Sequence, residues 1–326
     1  MSINSSLNLY INSVIRGDCL AVMETLPPHS VDMVLCDLPY GTTQNKWDSV
    51  LPLDDYIVTV HGRLSESEYM LYAYKSGIDF RLAAEQWKTN HKHGLWSLYR
   101  RVLKEDGVIV LTSNGPFTSQ LIESNTGWFK YRWVWVKSKA TNFLNAKKQP
   151  LRKYEDVCVF YGKQPTYNPQ MMPGEAYDKG IRKDQLTGSY GDFKPRHVAS
   201  VGGRYPVDVV YFKTAESEGE VLHPTQKPVE LGRYFVRTYT NPGDVVLDNT
   251  CGSGSFLVAA LMEGRNFIGI ELGQDTQLFK KQSIDYIALC EKRLSEAWAV
   301  LSPEKAASIQ RINLCEEAED YVAYGN

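Results

Sequence analysis

The sequence of 326 residues contains no uninterrupted apolar stretch as long as a membrane-spanning helix requires. Its first residues, MSINSSLNLY, lack the basic start and apolar segment of a secretory leader. The six cysteines are scattered without a Cys-x-x-Cys pair, which argues against a disulfide framework and a cysteine-ligated zinc site. These absences predict a cytoplasmic globular protein that makes no membrane contact.

Net charge is almost absent, because 36 Lys and Arg residues stand against 38 Asp and Glu residues. The distribution is nevertheless uneven. Between Lys137 and Lys213 there are fourteen basic and seven acidic residues, so this stretch carries +7 and the remainder −9. A basic segment on an acidic body favours phosphate contacts made by one region, although a solvated, loop-rich face explains the charge equally well.

Apolar periodicity predicts strands that alternate with helices, which is typical of an α/β fold with a mainly parallel sheet. The predicted strands cover residues 7–15, 31–37, 108–113, 131–138, 156–163, 244–250 and 266–272. The predicted helices cover residues 95–107, 227–240, 256–264 and 285–301. From about 141 to 222 the pattern becomes irregular and rich in Gly, Pro, Lys and Tyr.

Residues 57–94 do not fit a compact βα unit, and we interpret them as an insertion. Their aromatic residues predict packing of some kind, and three alternatives remain: a self-packed helical appendage, a dimer contact or a DNA contact. His91 and His93 lie in this segment. Because no cysteine or acidic residue adjoins them in the sequence, we predict an exposed loop and no metal site.

The segment DNTCGSGSF, residues 248–256, follows a predicted buried strand and opens a helix. Glycines at this position allow a sharp turn and a close approach of the backbone to a ligand. The next strand ends at Glu271, whose carboxylate can accept hydrogen bonds from the ribose hydroxyls of an adenosine cofactor. The third glycine of a dinucleotide-binding loop is missing, which favours a nucleoside cofactor without a pyrophosphate.

Asp37-Leu38-Pro39-Tyr40 ends another predicted buried strand, at the edge where α/β sheets bind ligands. The Asp37 carboxylate and the Leu38 carbonyl can accept both hydrogens of an exocyclic amine, which stabilises the positive charge that develops when the amine attacks. Pro39 restricts Leu38 to extended geometry, and Tyr40 can stack on a flipped base. A simple β-turn after a strand explains the tetrapeptide alone equally well.

Together these motifs resemble the permuted, β-type amino-methyltransferases of DNA. DLPYGTTQNKWD is similar to the family's D/N/S-P-P-Y/F/W motif and the loop after it, HPTQKP at 223–228 to the element before the cofactor strand, and 248–256 to D-P-F-x-G-S-G-T. The resemblance covers roughly residues 10–56, 95–163 and 221–295. Leu38 replaces the first proline, and Asn249-Thr250-Cys251 replaces the segment that carries the aromatic residue beside the cofactor.

The resemblance implies S-adenosyl-L-methionine as the cofactor and a role for each matching residue. Asp37, Leu38, Pro39 and Tyr40 would be catalytic, with Asp37 also near the cofactor. Asp18 would bind the cofactor's adenine amine and Glu271 its ribose, while the Gly252–Gly254 loop and the Thr225–Lys227 element would surround its methionine end. The remaining predicted cofactor contacts are Cys19, Asp248, Asn249, Cys251, Ser255, Leu272 and Phe256, the last as a substitute for the missing aromatic residue.

These expectations define a circularly permuted Rossmann-like methyltransferase. Its parts would be a catalytic half (1–140), a target-recognition region (141–222), a cofactor-binding half (223–302) and a peripheral tail (303–326). The expected partner is double-stranded DNA in a bacterial or phage-infected cell, and a homodimer and a cognate restriction endonuclease stay open as further partners. The expected DNA contacts are Lys137, Lys139, Lys147, Lys148, Arg152 and Lys153.

The expected reaction is direct methyl transfer to the N6 amine of a flipped adenine. Cytosine N4 methylation is the nearest alternative, because the same acceptors suit that amine. A protein-glutamine methyltransferase uses a similar tetrapeptide, but the basic middle region and HPTQKP argue against it. A nicotinamide oxidoreductase is disfavoured by the missing glycine, and a non-enzymatic DNA-binding module by Asp37 and Tyr40.

Overall fold

The computed structural model of the chain describes residues 7–41, 48–181, 197–221, 223, 225–273 and 284–309. The helices within these ranges are α1 (Cys19–Thr25), α2 (Glu66–Lys75), α3 (Phe80–Asn90), α4 (Leu95–Val102), α5 (Pro116–Ser124), α6 (Val229–Tyr239), α7 (Ser255–Met262), α8 (Tyr286–Ala299) and α9 (Pro303–Ala307). None of these helices combines the length and apolarity needed to cross a bilayer.

The strands in the described ranges are β1 (Ser13–Arg16), β2 (Val31–Cys36), β3 (Tyr56–Thr59), β4 (Gly62–Ser65), β5 (Leu103–Ser113), β6 (Phe129–Thr141), β7 (Arg152–Phe160), β8 (Met172–Pro173), β9 (Tyr177–Ile181), β10 (His197–Ser200), β11 (Gly203–Arg204), β12 (Val209–Phe212), β13 (Val245–Asp248) and β14 (Asn266–Glu271). Short 3₁₀ helices cover Phe143–Asn145 and Ala215–Ser217.

Eight strands form the central sheet in the order β1-β14-β13-β2-β5-β7-β6-β12. Neighbours from β1 to β5 are parallel, as are β6 and β12, whereas β7 runs antiparallel to β5 and β6. The predicted mainly parallel α/β sheet is therefore confirmed. Because of these directions, one edge of the sheet carries the start of β7 together with the carboxyl ends of β14, β13, β2, β5 and β6.

Strand β2 shows how the core is divided between the two faces of the sheet. Val34 and Cys36 belong to a core that α1, α4 and α5 cover, while Met33 and Leu35 belong to a second core under α6, α7 and α8. All four side chains are fully buried. A strand that lies between two helical layers needs apolar residues on both faces, which explains the continuous apolar run in the sequence.

The strand predicted over 156–163 lies at Arg152–Phe160, and two other boundaries are further from the prediction. The first strand begins at Ser13 and not at residue 7, because Asn12 adopts a left-handed backbone (φ 56°) and hydrogen-bonds Asn266 across the sheet (2.9 Å). The predicted helix over 95–107 ends at Val102. The residues after it join β5 with a register shift against β2, where Lys104 pairs with Asp32 (2.7 Å).

The irregular region predicted over 141–222 contains two strands of the central sheet, β7 and β12. The chain therefore leaves the sheet only after Phe160 and returns to it at Val209. Between these points the described residues form two small antiparallel pairs, β9 with β10 and β8 with β11. Of the predicted tail, α9 is described, and residues 310–326 lie outside the described ranges.

The predicted insertion forms a β3–β4 hairpin followed by α2 and α3. Tyr69 and Trp87 are buried in a small core of its own, together with Ile57, Ala73 and Ala83. Tyr74 and Phe80 remain exposed (80% and 71%). Tyr72 is partly buried and packs against the same core. The self-packed alternative thus describes three of the insertion's five aromatic residues that suggested packing, and not the two exposed ones.

Candidate active site

Asp37 follows β2 directly, at the shared edge of the sheet, and its carboxylate is held by three donors. The Tyr40 hydroxyl lies 2.7 Å from Oδ1, and the Thr112 hydroxyl, at the end of β5, also donates to Oδ1. Lys227 donates to Oδ2 across 2.6 Å. An ionised carboxylate has about four acceptor positions, so the three contacts leave room for one further hydrogen bond.

Lys227 is almost completely buried and joins two carboxylates. Its ammonium pairs with Asp37 (2.6 Å) and Glu155 (3.5 Å), and Glu155 also pairs with Lys137 (2.9 Å). Burial lowers the pKa of Lys227, but the two carboxylates outweigh burial and raise it above its ordinary value. Burial likewise raises the pKa of Glu155, and Lys227 and Lys137 together bring it below its usual range. Both shifts favour the charged forms, so Lys227 and Glu155 stay ionised at neutral pH.

The backbone of the Asp37–Tyr40 segment is anchored at several points. Thr250 donates its hydroxyl to the Asp37 carbonyl (3.0 Å), and the Leu38 side chain is buried in the core. The Tyr40 ring stacks on Phe117, with centroids 5.1 Å apart, and the Lys227 ammonium lies 5.4 Å from the centroid of the same ring, so both neighbours restrict access to it. The leucine that replaces the family's proline is thus held by packing instead of by a ring constraint.

The glycine loop follows β13 and turns through two left-handed glycines. Gly252 has φ 51° and Gly254 has φ 77°, and a Cβ on Gly254 would lie 2.2 Å from Sγ of Cys290. Only glycine fits the second position, both for its backbone angle and for its space. Gly252 donates its N–H to Oε2 of Glu271 (2.8 Å), which joins the loop to the end of β14.

Two buried polar residues stand between the Asp37–Tyr40 segment and the glycine loop. Asp248 ends β13 and is 3% exposed, and burial raises its pKa to about 8. Asn249 is also buried and accepts a hydrogen bond from the Tyr99 hydroxyl (2.8 Å). Tyr99 is a contact that the sequence did not suggest, because it lies in the middle of α4 among apolar neighbours.

The other predicted cofactor residues occupy several environments. Asp18 is exposed and caps α1, with Oδ1 accepting from the backbone N–H groups of residues 20 and 21 (3.0 and 3.1 Å). Leu272 is 47% exposed beyond β14, whereas Cys19 and Cys251 are 7% exposed. Thr225 contacts the His223 ring (3.2 Å). These residues lie at or below the same edge of the sheet as Glu271.

Two sequence assignments, those of Phe256 and Lys137, need correction, and that of Ser255 stays a prediction. Phe256 is 2% exposed and packs against Gly232 in the core, so its ring does not replace the missing aromatic residue beside a cofactor. Ser255 is buried, and its hydroxyl contacts Arg293 (3.2 Å). Lys137 is 3% exposed and paired with Glu155, so its ammonium cannot neutralise a DNA phosphate at the surface.

The remaining predicted DNA contacts are exposed at the end of β6 and the start of β7, which is the edge that carries Asp37. They are Lys139, Lys147, Lys148, Arg152 and Lys153. The site residues that the sequence did not single out, Thr112 and Glu155, also lie at this edge. In the sequence, each is a polar residue at the end or the start of an apolar strand. Because polar residues are common at strand ends, this pattern did not identify them as site residues.

The chain was compared with known protein families, relatives and solved structures. Residues 31–278 match the model of the N6/N4 methyltransferase family, described as DNA methylase. The chain is 25% identical over 313 residues to DNA adenine methyltransferase YhdJ of Escherichia coli (strain K12), covering 94% of this chain and 93% of the relative. It is 25% identical over 288 residues to type II methyltransferase M.BglII of Bacillus subtilis, covering 82% of this chain and 67% of the relative. Its fold is similar to that of the M1.HpyAVI–SAM complex, with a TM-score of 0.50 and 18% identity. The match covers 86% of this chain and 98% of that chain.

Proposed function

This chain belongs to the N6/N4 family of DNA methylases, and we propose that it transfers a methyl group to the N6 amine of adenine in double-stranded DNA. The observation that carries the proposal is the Asp37 carboxylate, fixed at the sheet edge by Tyr40, Thr112 and Lys227 with one acceptor position left. One of the two relatives supports this choice of base, because YhdJ is named a DNA adenine methyltransferase.

The proposed cofactor, S-adenosyl-L-methionine, supplies an electrophilic methyl group on a sulfonium, which leaves as a neutral thioether. The residues present fit it. Gly252 and Gly254 carry no side chain, so the backbone can approach a ligand closely at these two positions, and the Glu271 carboxylate at the loop's rim can accept hydrogen bonds from a ribose. Burial raises the pKa of Glu271, but its carboxylate also accepts backbone N–H groups, among them those of residues 252 and 273.

The protein's own contribution is the positioning of the amine and the stabilisation of the charge that develops on it. Asp37 and the Leu38 carbonyl would accept the two amine hydrogens, which draws the nitrogen lone pair towards the methyl donor. Lys227 fixes the position of the Asp37 carboxylate through a 2.6 Å contact, while Glu155 offsets the positive charge of Lys227. The methylated amine carries a positive charge and releases one proton, which the Asp37 carboxylate or solvent can accept without a strong base.

We also assign target recognition to the region between Phe160 and Val209 and DNA phosphate contacts to the exposed basic residues around β6 and β7. The support for the phosphate contacts is position, since the exposed basic residues form a positive rim at the edge that carries Asp37. The recognition assignment rests on the irregular sequence of its region, because β7 runs away from Asp37 and Phe160 lies towards the opposite edge.

The decisive experiment is a reaction of the purified protein with unmodified DNA and S-adenosyl-L-methionine that carries a deuterated methyl group. The DNA is then digested to nucleosides and analysed by mass spectrometry. The proposal predicts labelled N6-methyladenine. Labelled N4-methylcytosine in its place would retain the family and overturn the choice of base, and no labelled nucleoside from DNA of varied sequence would overturn the proposed activity.

A further inference from the structure

A cluster outside the candidate active site brings together Asp55, His91 and His93. The two histidines were set aside in the sequence because no acidic residue adjoins them, yet the fold places Asp55 beside both. Oδ2 of Asp55 lies 3.8 Å from Nε2 of His91 and 3.5 Å from Nδ1 of His93. One donor atom from each of the three residues lies within 4.8 Å of the others.

These separations are longer than hydrogen bonds and close to the spacing around a metal ion. Two ligands bonded to one Zn²⁺ at about 2.0–2.1 Å in a tetrahedral arrangement stand roughly 3.4 Å apart. The two measured carboxylate–imidazole distances approach this value, while the donor atoms of the two histidines, within 4.8 Å of each other, would have to approach by up to about 1.4 Å to bind one ion. Imidazole and carboxylate are both ordinary ligands of Zn²⁺.

The ligand side chains are also oriented by contacts of their own. Nδ1 of His91 lies 2.9 Å from the Trp87 carbonyl, so it carries the hydrogen and leaves Nε2 as a lone-pair donor directed towards Asp55. The His91 ring stacks on the Trp87 indole at 5.5 Å. Oδ1 of Asp55 accepts the Gly94 N–H (2.9 Å), which leaves Oδ2 for the ion.

The cluster lies at the neck of the insertion. Asp55 precedes β3, and His91 follows α3, so the ligands come from the two ends of the inserted segment. Between them Tyr56 and Lys92 form an antiparallel bridge with hydrogen bonds of 3.0 and 2.7 Å. Gly94 packs so closely on Asp54 that a Cβ would lie 2.2 Å from its carbonyl oxygen. An ion here would close a loop of more than thirty residues.

We propose that Asp55, His91 and His93 bind a divalent transition-metal ion of the zinc class, which clamps the insertion to the methyltransferase body. Three protein ligands complete the inner side of the site. The fourth position faces solvent beside the half-exposed His93 and takes water. The site is independent of the proposed methyl transfer, since none of its ligands belongs to the Asp37 network.

Metal binding is tested with full-length protein that has been freed of metal by a chelator and dialysed against Zn²⁺. Elemental analysis is expected to give one zinc ion per chain. His93→Ala and Asp55→Asn should bind zinc at least tenfold more weakly, because even loss of an outer-shell contact costs about 10–100-fold in affinity. The matched control is His61→Ala, which removes a histidine of the same insertion outside the cluster and should bind as the wild type does.

Hydrogen exchange supplies a readout of the clamp itself. Zinc should slow exchange of the Tyr56 and Lys92 amides in the wild type and in His61→Ala, and leave it unchanged in His93→Ala. His93 is half-exposed, so its replacement does not disturb the core, and circular dichroism verifies the fold. Absence of bound zinc in the wild type, or equal zinc binding by His93→Ala, would overturn the site. Zinc binding without slower exchange would overturn the clamp.

Discussion

The ammonium of Lys227 lies 2.6 Å from Oδ2 of Asp37, although 190 residues separate the two in the chain. Lys227 precedes α6 and Asp37 follows β2, and the sheet order brings both to the same edge. Through this contact the HPTQKP segment reaches the Asp37 carboxylate. It places a buried cation against the carboxylate that we propose binds the target amine.

Lys227→Met should lower both the methylation rate and the stability. Removal of one member of a buried ion pair leaves the other uncompensated, which costs about 3–5 kcal/mol in the free energy of unfolding. The pKa of Glu155, which Lys227 and Lys137 hold below its usual range against burial, should rise. In the wild type, the ionised Glu155 stabilises the fold above its ordinary pKa, and this stabilisation is lost as the pH falls through its lowered pKa. Because the variant raises that pKa, Glu155 takes up its proton at a higher pH. The variant should therefore lose activity at a higher pH than the wild type.

A double-mutant cycle with Glu155→Gln distinguishes this network from a merely structural lysine. Because Lys227 and Glu155 are in contact, the combined variant should be more stable than the two single losses predict, by about 0.5–3 kcal/mol. Additive effects in urea unfolding together with an unshifted pH–rate profile would show that Lys227 does not act through the two carboxylates.

Glu271→Ala should raise the KM for S-adenosyl-L-methionine more than it lowers kcat, since ribose contacts act on the ground state and the transition state alike. Glu271→Gln is the matched variant. Its amide oxygen can still accept the Gly252 N–H, so the glycine loop keeps its anchor and the loss of affinity should be smaller. Calorimetry that finds unchanged cofactor affinity for Glu271→Ala would refute the ribose assignment.

Charge reversal of Lys147, Lys148, Arg152 and Lys153 should weaken DNA binding at all sequences. Each phosphate contact that is lost reduces the slope of log affinity against log salt by about 0.9. Lys75→Glu with Lys88→Glu, on exposed helices of the insertion, provides a control whose slope should stay unchanged. Equal slopes for the four-site variant and the wild type would place the DNA-contacting surface elsewhere.

Asp248→Asn should gain stability relative to the wild type as the pH rises from about 4 to 8. Burial raises the pKa of Asp248 from 3.8 to about 8, so the folded state holds a proton that the unfolded state releases in this range. The wild type therefore loses stability with rising pH through this group, and the asparagine variant does not. Urea midpoints at pH 5 and pH 8 measure the effect, and an equal difference between the two proteins at both values would contradict it.

The sequence predicted the parts of the site that are local. Apolar runs located β2, β13 and β14, and residues at the ends of such strands lie at a shared sheet edge, which is why Asp37, Asp248 and Glu271 were found. The end of α4 was misplaced because a register shift in β5 follows from its pairing with β2, which helical periodicity does not report.

Contacts that depend on strand order could not be predicted. Glu155 reaches Lys227 only because β7 inserts antiparallel between β5 and β6, and Asp55 meets His91 only because the insertion returns to its starting point. For the same reason Lys137 was assigned to DNA. Its position in a basic segment is visible in the sequence, but its inward direction along β6 is not.

The most direct test of the central claim is a single-turnover reaction in which wild type and Asp37→Ala, each saturated with cofactor, methylate the same duplex. Loss of a fixed acceptor of developing charge costs about 100-fold or more in rate. We therefore expect N6-methyladenine to form at least 100-fold more slowly in the variant, with cofactor affinity nearly unchanged and Asp37→Ser intermediate. A variant that keeps more than about a tenth of the wild-type rate would contradict the assignment of Asp37 as the acceptor.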